Sequence, residues 1–149
     1  MAINEQLRGG NVLPSRILYT MIRVSDLDRS VAFYRDLLGM RELRRETFTE
    51  GRFTLVFMGY EEVSPHAWIE LTYNWDQDSY ELGTGYGHVA LEVDDIYAAF
   101  ERLEQAGVSV VLRPGPMTIA PDETGHREVI AFIEDPDGYK IELIQAAVH

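Results

Sequence analysis

Between Arg16 and Val24 apolar and polar side chains alternate, and the run ends at Ser25-Asp26, two residue types that cap helices. The spacing then changes to three and four: Val31, Phe33, Tyr34, Leu37 and Leu38 fall on one side of a helix over Asp28–Leu38. Gly39 stands where a left-handed terminal glycine belongs. Strands are expected over Arg52–Met58 and Ala67–Tyr73, with the turn-like Glu61–Pro65 between them. The order then recurs. Gly87–Val93 reads as a strand, Asp94 and Asp95 offer caps, a helix runs to Ala106, and Gly107 ends it. Val108–Leu112, Val129–Ile133 and Tyr139–Ile144 are the later strands, the last entered through the tight turn Asp135-Pro136-Asp137-Gly138. Arg113–Glu128 reads as a long loop, and Phe33, Tyr34, Tyr97 and Phe100 are expected in the core.

The two halves look like copies. Tyr19-Thr-Met-Ile-Arg-Val-Ser-Asp lies over His88-Val-Ala-Leu-Glu-Val-Asp-Asp, each strand running into a capped helix. The last strand of each half holds the same tripeptide, Ile69-Glu70-Leu71 and Ile141-Glu142-Leu143, and the intervals Tyr19–Glu70 and His88–Glu142 are 51 and 54 residues. The expected fold class is α+β: two tandem βαβββ modules forming an open curved sheet in one domain. The domain spans 16–145 (modules 16–73 and 86–145, linker 74–85), flanked by an N-terminal arm 1–15 and a C-terminal tail 146–149.

Alternation assigns faces. Tyr19, Met21 and Arg23 share one side of the first strand; Trp68, Glu70, Thr72 and Asn74 share one side of the third. In the second half His88, Ala90 and Glu92, then Lys140, Glu142 and Ile144, do the same. The opposite faces are aliphatic and suit a covering helix. A pseudo-twofold between the halves would make Tyr19, Glu70, His88 and Glu142 equivalent and bring them together, and two carboxylates with an imidazole suit a divalent transition metal. Singly, each glutamate reads better as a solvated surface residue and His88 as a hydrogen-bonded strand histidine. Their repeated placement favours a site.

Composition narrows the ligand. A net charge of −12 with a single lysine, Lys140, disfavours nucleic acid and anionic membrane as partners. No apolar run reaches the ~20 residues that span a bilayer, and the polar N-terminus lacks a signal peptide's apolar stretch, so a cytoplasmic protein acting on something small is expected. With no cysteine, only N and O ligands are available to a metal. Gly83-Thr-Gly-Tyr-Gly opens a strand where a dinucleotide loop would open a helix. His66 and His149 read as surface and terminal residues, and His126 as a loop residue.

The segments TMIRV, IELTYNW, YELGTGYGHVAL and VIAFIEDPDGYKIELI together closely resemble glyoxalase I of the vicinal-oxygen-chelate superfamily, short bacterial type, over nearly all of residues 16–145. The resemblance implies a homodimer with metal sites at the subunit interface. It implies metal ligands at Glu70, His88 and Glu142, with Tyr19 standing where the family carries histidine or glutamine. Tyr19 then ligates as a phenolate, leaves its place to water, or marks a lost metal. One divalent ion per site is implied, nickel or cobalt ahead of zinc.

The implied substrate is the hemithioacetal of glutathione and methylglyoxal, isomerised to S-lactoylglutathione by glutamate-mediated proton transfer through a metal-stabilised enediolate. Glu142 would be the base and Glu70 a ligand and second catalytic carboxylate. Arg23 and Asn74 match positions that hold the tripeptide, and Trp68, Met21 and Phe132 would keep the site dry. The family's lysine after Gly-Pro-Val/Met is absent from Gly115-Pro116-Met117-Thr118, leaving His126 or Arg127 as substitutes. Competing readings are a relative with another substrate (an epimerase, dioxygenase or thiol transferase) and a binding module whose metal site Tyr19 has impaired.

Overall fold

The computed structural model describes residues 12–62 and 66–147, so most of the expected N-terminal arm and His149 lie outside the described residues. The first module runs β1 (Tyr19–Arg23), α1 (Leu27–Ala32, widening into a π-helical turn Phe33–Leu37), β2 (Arg41–Phe48), β3 (Phe53–Gly59) and β4 (Trp68–Asn74). The second repeats it as β5 (His88–Val93), α2 (Ile96–Gln105), β6 (Ser109–Pro116), β7 (Val129–Glu134) and β8 (Lys140–Gln145). Each module builds one four-stranded sheet, ordered β1-β4-β3-β2 and β5-β8-β7-β6. In both, the first strand pairs parallel with the last and the other pairs are antiparallel.

The helices begin where the short acidic residues allow. The Asp26 side chain accepts from the Arg29 amide at 3.1 Å, and Asp95 from the Ala98 amide at the same distance. Gly39 and Gly107 follow the helices with φ of +76° and +84°, a region nearly closed to side-chain-bearing residues. The aliphatic strand faces supply the core. Ile22, Val56, Met58 and Leu71 from the first sheet join Ala131, Ile133, Ile141 and Leu143 from the second in one buried cluster with both helices. Of the four aromatics expected there, Phe33, Tyr34 and Phe100 are buried but Tyr97 is exposed. Tyr97 sits one residue beyond the buried Ile96, about 100° round the helix and on its outer side.

Two segments depart from the expected pattern. Arg41–Phe48, assigned to no element from its sequence, is the edge strand β2; its lack of alternation reflects solvent on much of both faces and a bulge between Glu42 and Arg44. The supposed loop from Arg113 begins four residues late, because β6 continues to Pro116 through two irregularities in its pairing.

Polar bonds tie the modules together. The Tyr34 hydroxyl donates to Asp135 Oδ2 at 2.7 Å, the Ser25 hydroxyl to Asp137, and the Tyr139 hydroxyl to the Arg23 carbonyl at 2.7 Å. Arg102 of α2 donates to the Asp36 and Leu37 carbonyls at the end of α1, where a cation also complements the helix dipole.

Candidate metal and substrate site

Register places the candidate residues. β1 and β4 pair Tyr19 with Trp68, Met21 with Glu70 and Arg23 with Thr72, so Tyr19 and Glu70 are diagonal neighbours on one face. β5 and β8 pair His88 with Lys140 and Ala90 with Glu142, which makes His88 and Glu142 diagonal neighbours with the same offset. The duplication extends to the third strand of each sheet. Phe57 pairs with Glu70 and packs edge-on against Tyr19, centroids 5.0 Å apart; Phe132 pairs with Glu142 and packs edge-on against His88, again at 5.0 Å. Arg23 and Asn74 continue the diagonal offset along the first sheet.

The surroundings differ between pairs. Glu70 is buried at 7% exposure and accepts a hydrogen bond from the Thr72 hydroxyl at 2.5 Å. Thr72 was not singled out from the sequence, although it shares the Glu70 face two residues on. His88 Nε2 stands 3.1 Å from Glu142 Oε1, with the imidazole 40% and the carboxylate 14% exposed. Tyr19 is 40% exposed, and its hydroxyl makes no hydrogen bond among the described residues. Asn74 Nδ2 donates to the Tyr80 hydroxyl at 3.1 Å, while the Arg23 carbonyl is held by Tyr139. A cavity of about 220 Å³ lies beside them, lined by Met21, Arg23, Tyr80 and Tyr139 among others.

The structure thus gathers the four candidates as two pairs on two sheets. Among the described residues no three His, Asp or Glu side chains come together within the chain. Both carboxylates keep acceptor capacity beyond their single recorded partners. A phenol, an imidazole and two carboxylates are hard-to-intermediate donors that fit a divalent transition metal once both pairs contribute. Among the described residues the other two histidines do not join them: His66 and His126 are exposed on loops.

Comparison with known proteins identifies the family of the chain. The family model described as Glyoxalase/Bleomycin resistance protein/Dioxygenase superfamily matches residues 16–143. A probable lactoylglutathione lyase of Synechocystis sp. is 53% identical over 131 residues, 88% of this chain and 95% of that one. The lactoylglutathione lyase of Haemophilus influenzae is 54% identical over 130 residues, 87% of this chain and 92% of its own. Among solved structures, glyoxalase I from Zea mays superposes with a TM-score of 0.80 at 39% identity over 89% of this chain, which spans only 45% of the maize protein. The trypanothione-dependent glyoxalase I of Leishmania major superposes at 0.74 with 40% identity, covering 89% and 87% of the two chains. Paired βαβββ modules, matched registers and these likenesses lead to one conclusion: the chain belongs to the glyoxalase/bleomycin resistance protein/dioxygenase superfamily.

Proposed function

We propose that this chain is a metal-dependent lactoylglutathione lyase, isomerising the hemithioacetal of glutathione and methylglyoxal to S-lactoylglutathione. The observation that carries the reading is the equal diagonal offset of Tyr19/Glu70 and His88/Glu142, on sheets whose relatives are lactoylglutathione lyases at about 50% identity. The catalytic unit is taken as 16–145, modules 16–73 and 86–145 joined by 74–85.

Two donors do not hold a divalent ion firmly, and each pair lies on an open sheet face, so a second copy is needed to complete a site. The partnership proposed is a homodimer in which Tyr19 and Glu70 of one subunit meet His88 and Glu142 of the other. Exposed Tyr19 and Met21 on that face fit such a contact. Nickel or cobalt is favoured over zinc; when bound, the ion supplies Lewis acidity toward the substrate's neighbouring oxygens.

The chain's own residues do the rest. Glu142 takes the proton from the carbon next to the carbonyl and returns it to the adjacent carbon, with Glu70 as second carboxylate on the opposite side. Arg23 pairs with a substrate carboxylate while Asn74, steadied by Tyr80, takes a further polar group. Phe57, Phe132, Trp68 and Met21 exclude water around the reacting carbons. The cytoplasm, which keeps thiols reduced, is the proposed compartment.

The test is S-lactoylglutathione formation after metal removal and stepwise addition of nickel, cobalt or zinc. Activity is expected to vanish on stripping and to return most fully with nickel or cobalt; absence with every metal overturns the proposal. Tyr19→His is expected to tighten metal binding about tenfold or more, since imidazole is a stronger neutral donor than an un-ionised phenol. Unchanged metal affinity by competition with a chelator would show that the first strand does not limit the site.

A further inference from the structure

Beyond Tyr19, at the end of the first sheet opposite Arg23, lies a cleft of about 140 Å³ lined by Arg16, Leu18, Tyr19, Arg44 and Trp68. Its walls are fixed. The Trp68 indole N–H donates to the Glu61 carbonyl at 2.8 Å, and its ring packs edge-on against Phe57. Gly59 leaves the room the indole occupies, for a Cβ there would stand 3.0 Å from the Trp68 ring. Arg44, from the edge strand, places its guanidinium 4.3 Å from the Phe57 ring centre and 5.7 Å from that of Trp68.

A guanidinium lying on a ring face keeps its in-plane N–H groups directed outward, the arrangement that meets a carboxylate with two bonds. Neither Arg44 nor Arg16 donates a side-chain hydrogen bond among the described residues. Among the described residues the acid within 4 Å of Arg44 is Glu46, at 3.8 Å, with both side chains about half exposed, which makes a weak competitor. Two cations lining one cleft, one of them set over aromatic rings and only weakly paired, are a pointed feature in a chain of net charge −12.

We propose that this cleft is a carboxylate subsite of the substrate, with Arg44 as a specificity-determining residue and Arg16 as its second cation. The assignment rests on the lyase reading for the substrate, and it adds a second anion contact on β2, three strands across the sheet from the β1 strand that carries Arg23. The carboxylate recognised belongs either to the free end of the thiol peptide or to an acidic substituent on the aldehyde-derived carbon.

Titration calorimetry on the full chain separates these sources without needing turnover. The three ligands are S-benzylglutathione, its glycyl ethyl ester and S-(4-carboxybenzyl)glutathione, each with wild type, Arg44→Gln, Arg44→Lys and Arg16→Gln. Arg44→Gln is expected to weaken a carboxylate-bearing ligand about tenfold relative to its counterpart lacking that group, with Arg44→Lys and Arg16→Gln showing smaller losses. A loss confined to the free glycyl acid identifies the peptide end; a loss confined to the carboxybenzyl ligand identifies the aldehyde end. Equal changes for all three ligands, or none, overturn the subsite. Failure of wild type to form S-lactoylglutathione counts against the lyase reading alone.

Discussion

Glu142→Gln is expected to reduce kcat about 10²–10⁴-fold with little change in KM. The substitution keeps the shape of the side chain and an oxygen that can still face His88 Nε2, now 3.1 Å from Oε1, so the β5–β8 pairing should survive. What it removes is the capacity to accept a proton from carbon. Because the same oxygens are proposed to hold the metal, bound metal is measured beside each rate, and the comparison is made at full loading. Glu70→Gln serves as contrast. Its carboxylate is more deeply enclosed and already accepts from Thr72, a setting that suits holding a ligand position more than exchanging protons. Retention by Glu142→Gln of more than about a tenth of wild-type kcat at full loading would move the base to Glu70.

The difference between what could and could not be read from sequence has a physical origin. Alternation in Tyr19–Arg23, His88–Val93 and Lys140–Gln145 survives because one face of each strand packs on a helix, so the faces bearing Tyr19, Glu70, His88 and Glu142 were legible residue by residue. The caps Asp26 and Asp95 were legible because capping is local. β2 was not, since an edge strand with five charged residues in eight leaves no period to detect. Asp135 reads from sequence as turn chemistry, which it performs, but its bond to Tyr34 crosses 101 positions and leaves no local trace. Arg44 was hidden for the same reason as its strand. Its role depends on Phe57 and Trp68, brought beside it only by the β2–β3–β4 pairing. The division of the four candidates into two pairs is a fact of tertiary packing, since it follows from the two sheets meeting through their aliphatic faces and helices.

That packing turns on Asp135, and Asp135→Ala is expected to destabilise the fold by about 3 kcal/mol or more. The carboxylate is 4% exposed and serves three donors: Oδ1 accepts from the Asp137 and Tyr139 amides, both at 2.9 Å, and Oδ2 from the Tyr34 hydroxyl at 2.7 Å. Alanine strands all three donors in a space closed to water. Asparagine keeps Oδ1 for the two amides and turns its NH₂ toward the tyrosine oxygen, so Asp135→Asn should cost about 1 kcal/mol. The pair also has a pH signature. Burial lifts the Asp135 carboxyl above the ordinary aspartate range despite the donors that oppose the shift, and burial followed by the Asp135 charge pushes the Tyr34 phenol well up. A carboxyl whose pKa is higher folded than unfolded binds its proton more tightly in the native state. Its contribution is therefore complete below the ordinary aspartate value and is lost as pH rises through the raised one. The stability difference between wild type and Asp135→Asn should favour wild type most in acid and shrink across that window. Urea unfolding at fixed protein concentration over a pH series measures it, the fixed concentration removing any contribution from association. A difference that stays flat with pH would show that Asp135 titrates alike in both states. An alanine variant as stable as the asparagine one would show that the three donors find other partners, and that the modules are held by their shared apolar core alone.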